Sequence, residues 1–202
     1  FLSYEVESVP ASTFNLVSPA APVINDPFAY WPTTLTADGD YAVTVRGKTI
    51  CGAIDTETIQ LTVDNTPPVA VISSPLNCDN VTGVVPIKGT VSDAHFQSWY
   101  LYYTGGNQNG WALIASGNNQ VVDGLITNWD TTSLIPCAYT LRLIAYDYSL
   151  MYCASYYQYT EFYTSVTVGE LGGSCPGDID GNGMVDFFDI DPFVDLLGTT
   201  CP

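Results

Sequence analysis

Residues 177–194 read GDIDGNGMVDFFDIDPFV, with five aspartates and one asparagine set around Gly181 and Gly183 and no lysine or arginine among them. A hard divalent cation takes oxygen ligands, and a short loop can deliver them from alternating positions if a glycine at its centre allows a sharp turn. Counted from Asp178, the ligand positions fall on Asp178, Asp180, Asn182, Met184 through its carbonyl, Asp186 and Asp189, with Gly183 at the turn. This is the layout of a calcium loop. Val185 then points inward to hold the loop on a core. Aspartate rather than glutamate closes the loop, so the expected site is a weak, structural Ca2+ site of order 10⁻⁵ to 10⁻³ M.

The rest of the composition agrees with a cation partner. Four Lys plus Arg stand against 21 Asp plus Glu, a formal charge of -17 over 202 residues. Such a field repels nucleic acid and anionic membrane surfaces. No apolar run approaches the roughly 20 residues of a membrane span, and no signal peptide is recognised, so the chain reads as a mature or excerpted product. Six cysteines lack the paired spacing of a zinc site, and His95 stands alone. A secreted, oxidising, extracellular setting is the expectation.

The chain repeats itself at an offset of 98: Tyr4 falls on Tyr102, Val23 on Val121, Trp31 on Trp129, Thr33 and Thr34 on Thr131 and Thr132, and Tyr41 on Tyr139. Both copies end in an alternating run, TIQLTV and YTSVTV. Alternation and β-branched residues predict strands near 69–74, 84–91, 98–104, 111–116, 120–128, 139–146 and 158–168, the count of a seven-stranded antiparallel sandwich. SLIPCAYTLRL places a leucine, a turn and then a tyrosine opening a strand, the pattern of a tyrosine corner.

The stretch from DNTPPVAVISSP through WDTTSLIPCAYTLRLIAYD resembles the immunoglobulin-like and fibronectin-III-like domains of bacterial surface and secreted proteins, over about 64–169 and less fully over 1–63. The acidic loop followed by DFFDIDPFVDLLG resembles one half of a dockerin repeat, which implies a helix near 190–197 and a cohesin-like partner. Dockerins carry two such repeats, and one is present here. The expected fold is therefore all-β: an incomplete sandwich over 1–64, a complete one over 65–170, and a calcium loop and helix over 171–202.

Residue 1 corresponds to residue 99, so the first copy lacks the counterparts of the second copy's first two strands. A sandwich without them leaves an open edge and inward side chains facing water. Three readings follow: the chain is an excerpt of a longer protein, a smaller sheet suffices, or a neighbouring copy supplies the strands. The third makes a non-enzymatic, self-assembling fibre or surface layer, since strand donation is head-to-tail. The alternative is a spacer in a larger secreted enzyme or adhesin, with a docking module and polysaccharide binding.

Cys175 and Cys201 bracket the loop and are expected to pair, as are Cys78 and Cys137, which such a fold sets at one end. Cys51 and Cys153 are left either free or bonded between subunits. The tyrosines of 146–163 serve either subunit packing or stacking on glycan rings. Asn80 heads a sequon. His95 has no nucleophile motif beside it, and no catalytic residue is expected. If the calcium loop is structural, Asp178→Ala combined with Asp189→Ala opens residues 175–201 to protease, and a chelator does the same to the parent chain. Equal resistance in all samples would refute it.

Overall fold

Successive side chains along a strand point to opposite faces, so Val84–Ser92 turns Val85, Ile87 and Val91 inward while Val84, Pro86 and Lys88 stay exposed. Val69–Ser74 does the same with Ala70 and Ile72. The computed structural model describes residues 3–16, 27, 29–150 and 157–169. Among them the regular elements are strands apart from one 3-10 turn, Thr33–Leu35. The calcium loop and Cys153, Cys175 and Cys201 lie outside the described residues.

The chain forms two compact units, Phe1–Thr66 and Pro67–Pro202. Unit 1 holds β1 (Ser3–Val9), β2 (Asn15–Leu16), β3 (Ala29–Tyr30), β4 (Gly39–Lys48) and β5 (Ile54–Val63). Its main sheet has the order β1-β4-β5, and β2 pairs with β3. Unit 2 holds β6 (Val69–Ser74), β7 (Asn80–Val81), β8 (Val84–Ser92), β9 (Phe96–Gly105), β10 (Gln108–Gly117), β11 (Val121–Asp130), β12 (Cys137–Leu150) and β13 (Tyr157–Val168). One sheet runs β10-β9-β12-β13-β7 and the other β11-β8-β6. Their facing side chains, among them Ile72, Ile87, Leu101, Trp129, Leu141 and Val166, form one core.

The seven strands expected over 69–168 are all present. The purely antiparallel arrangement is not: β7 is an added two-residue strand that pairs in parallel with β13. Pro86 fits β8 because β6 ends at Ser74 opposite Lys88, so Pro86 lies where one edge of β8 is open. Gly89 is needed for a different reason. A Cβ there would stand 1.9 Å from the Val71 carbonyl oxygen, at the irregular register between β6 and β8.

The internal repeat survives in three dimensions. The phenol of Tyr139 donates to the carbonyl of Ile135 at 3.1 Å, and that of Tyr41 donates to Ala37 at 2.9 Å. Each copy thus carries a tyrosine corner, although the sequence pattern pointed only to the second. Trp129 meets Tyr139 edge-on at 6.0 Å, and Trp31 meets Tyr41 edge-on at 5.1 Å. The β1-β4-β5 order of unit 1 repeats the β9-β12-β13 order inside unit 2. Tyr41→Phe and Tyr139→Phe should each destabilise its own unit by about 1 kcal/mol, the net worth of one such hydrogen bond. Urea unfolding followed separately for each unit checks this, and an unchanged midpoint would show the corner to be ornamental.

Candidate functional site

Unit 2 provides an internal standard for unit 1. Leu61 lies opposite Tyr41 as Val166 lies opposite Tyr139, and Ile59 lies opposite Val43 as Thr164 lies opposite Leu141. Val166 is 0% exposed and Thr164 5%, whereas Leu61 is 42% and Ile59 51% exposed. The difference has a plain cause. In unit 2, β6 and β8 lie across this face and contribute Ala70, Ile72, Val85, Ile87 and Val91 to the core. Among the described residues of unit 1 no strand stands in their place, and β5 has no partner on the side away from β4.

The sequence of β5 is nonetheless written for a covered face. Ile59, Leu61 and Val63 alternate with Thr58, Gln60 and Thr62, and Thr58 pairs across the strands with Thr44, oxygen to oxygen, at 2.9 Å. The small core of unit 1 consists of Tyr41, Val43 and Val63, with Val6, Phe14 and Trp31 packed against it. The Trp31 indole N–H donates to Ser12 Oγ at 2.7 Å and Thr36 Oγ1 at 3.1 Å, which anchors it at one end of the face. Asp38 ties the end of the unit down by accepting from the Asn65 backbone at 2.7 Å and the Thr66 hydroxyl at 2.5 Å. Those hydrogen bonds, Thr66 foremost, hold its carboxyl below the usual aspartate value.

A second candidate surface is the outer face of the five-stranded sheet of unit 2. Register places Leu113, Tyr102, Arg142 and Tyr163 in one row across β10, β9, β12 and β13, with Tyr146 and Tyr159 paired further along. Arg142 stacks over Trp111 at 5.5 Å from the ring centre and forms a short ion pair with Glu161, whose other oxygen accepts from the Tyr163 phenol. Trp111, Tyr159 and Tyr163 are exposed. The Arg142 hydrogen bond, followed by that of Tyr163, holds Glu161 below the usual carboxylate value, while Glu161 in turn raises both Arg142 and Tyr163. The patch is thus aromatic and locally neutral on a chain of charge -17. No known protein family and no characterised protein matches this chain. Function has to be argued from these surfaces.

The cysteine pairing expected in unit 2 needs correction. Cys78 is disulfide-bonded, but Cys137 carries a free thiol, so the two are not joined, and the partner of Cys78 lies outside the described residues. β13 separates them. The Cys78 backbone donates to Ser165 at one edge of β13 at 2.7 Å, whereas Cys137 faces Val168 across the other edge. Two strand spacings, about 9.5 Å, exceed the roughly 7 Å Cα separation that a disulfide spans. Cys51 is free and exposed in the β4–β5 hairpin loop. His95 lies in the turn between β8 and β9, its backbone N–H held by Asp93 at 2.7 Å, and Asn80 is exposed on β7.

Sequence reasoning named the tyrosines but missed the Arg142–Glu161 pair. The available signal was an arginine, one of four basic residues in the chain, at an outward position of a strand whose inward neighbours are leucines. Because Glu161 sits below its ordinary value of about 4.5 in the folded state, its contribution is complete above that value and is lost as pH falls through the folded one. Acid unfolding of the parent chain should therefore be steeper in this range than that of Glu161→Gln. Superimposable profiles would show that the pair adds nothing.

Proposed function

We propose that this chain is an extracellular, non-enzymatic structural protein of two tandem immunoglobulin-like sandwiches whose copies assemble into a fibre or surface layer, each copy completing unit 1 of the next with β-strands. The observation that carries this reading is the contrast between Leu61 and Val166, equivalent positions of which only the second is covered. An apolar face next to an unpaired strand edge accepts an added strand through main-chain hydrogen bonds along the edge and side-chain burial on the face. Donor and acceptor surfaces differ, so the contact is head-to-tail and propagates.

Calcium belongs to the same proposal. Asp178, Asp180, Asn182, Met184, Asp186 and Asp189 supply an all-oxygen donor set at calcium-loop spacing, and Cys175 and Cys201 flank it. The bound ion braces this segment, which resembles half a dockerin repeat.

The second reading, an accessory region of a larger secreted protein that contacts polysaccharide, rests on the aromatic face of unit 2. Exposed Trp111, Tyr159 and Tyr163 offer ring faces beside the hydrogen-bonding Arg142–Glu161 pair. Electron microscopy of the native material separates the readings, combined with its intact mass. The expected result is filaments from the parent chain and none from Leu61→Asp, with the thermal transition of unit 2 unchanged in the variant. Discrete particles whose mass includes a further segment folded onto unit 1 would favour the accessory reading.

A further inference from the structure

Cys78 is disulfide-bonded while Cys51 and Cys137 carry free thiols, so among the six cysteines of the chain its partner is Cys153, Cys175 or Cys201. Reach decides among the three. An extended chain spans at most about 3.6 Å per residue, and a disulfide joins Cα atoms no more than about 7 Å apart.

The turn that presents Cys78 is held beside β13. Cys78 has a φ of 71°, in the left-handed region that non-glycine residues rarely adopt. Its N–H donates to the Ser165 carbonyl at 2.7 Å, the Ser165 N–H donates to Asn77 Oδ1 at 3.0 Å, and the Leu76 N–H donates to Asp79 Oδ2 at 2.7 Å. The Asn77 amide also donates to Cys78 Sγ at 3.3 Å. Cys78 therefore sits level with Ser165, near the C-terminal end of β13.

Cys153 belongs to the other end of that strand. Leu150 pairs with Tyr157 across the β12–β13 hairpin, and eight residues of β13, about 26 Å, separate Tyr157 from Ser165. Three residues from Leu150 carry Cys153 back by no more than about 11 Å, and the Cys78–Ser165 pairing spans about 6 Å. A gap of about 9 Å remains, beyond what a disulfide bridges.

Cys175 starts from the near end. The Gly169 N–H donates to the Val81 carbonyl at 3.0 Å, so the chain leaves β13 beside Val81, three residues from Cys78. Cys175 follows Gly169 by six residues, a tether of about 20 Å for a path of no more than about 16 Å. Cys201 follows Gly169 by 32 residues. The effective concentration of a tethered group falls roughly as the −3/2 power of tether length, which favours Cys175 over Cys201 about tenfold.

We propose that Cys78 is joined to Cys175, a staple between the β6–β7 turn and the segment that follows β13. The closed loop contains β7 to β13, and the acidic loop that begins at Asp178 starts three residues beyond the staple. Cys175 is then not the partner of Cys201, contrary to the pairing expected from their places around that loop. This pairing depends neither on assembly nor on calcium.

Peptide mapping of the full chain, purified and digested without reductant, is the direct test. Cleavage after glutamate and before aspartate puts the three candidates in separate fragments, since Glu161 and Glu170 lie between Cys153 and Cys175, and Asp178 and Asp195 between Cys175 and Cys201. The expected result is one cross-linked species that joins the Cys78 fragment to residues 171–177 and is lost on reduction. A link from Cys78 to Cys153 or Cys201, or an unlinked Cys78, would overturn the inference. Thermal unfolding of unit 2 adds a second readout. Cys78→Ser and Cys175→Ser should each lower the transition by about 5 °C or more, and the double variant by no more than either alone, because all three lack the same bond. Additive losses in the double variant would equally overturn it.

Discussion

A β-sheet with one apolar face holds its shape only if something lies on that face. Unit 2 meets the condition by laying β6 and β8 across β12 and β13, which brings Leu141, Leu143 and Val166 to full burial. Unit 1 has the same central strands, the same tryptophan against the same tyrosine, and the same hydroxyl-to-carbonyl corner, yet leaves Ile59 and Leu61 facing outward. Burial of a leucine or isoleucine side chain stabilises by roughly 1.5–3 kcal/mol. Ile59 and Leu61, half exposed among the described residues, forgo part of that gain.

Much of this was legible in the sequence because the signals were local or repeated. Period-two alternation located the seven principal strands of 69–168, and Tyr139 after the LIPCA turn announced a corner. The offset of 98 aligned Tyr41 with Tyr139, but its ADGD turn lacks the leucine-proline context, and the corner there is visible only in the structure. Where the outcome depended on which strand lies beside which, the sequence was silent. β7 is too short to show a period, and its parallel pairing with β13 is what moves Cys78 to the opposite side of that strand from Cys137. Arg142 and Glu161 are 19 residues apart and meet only because β12 and β13 fall into one register.

The acidic composition gains meaning beside these surfaces. Copies carrying -17 each repel at long range, so a contact between them would depend on short-range apolar burial and hydrogen bonding, or on screening by cations and salt. The uncovered face of unit 1 has those short-range properties. The outer face of unit 2 offers a different kind of surface, aromatic, with Arg142 neutralised by Glu161 and stacked on Trp111.

Trp31 gives unit 1 an optical consequence of its own. Its ring sits 5.2 Å from Phe14 and 5.1 Å from Tyr41, only partly buried, while its counterpart Trp129, on β11, is buried in the core against Tyr103 and Tyr139. An indole at the rim of an open face emits from a wetter surrounding than one inside a closed core. Covering that face would shift its fluorescence to the blue, so the molecule carries a native dye at the rim of that face.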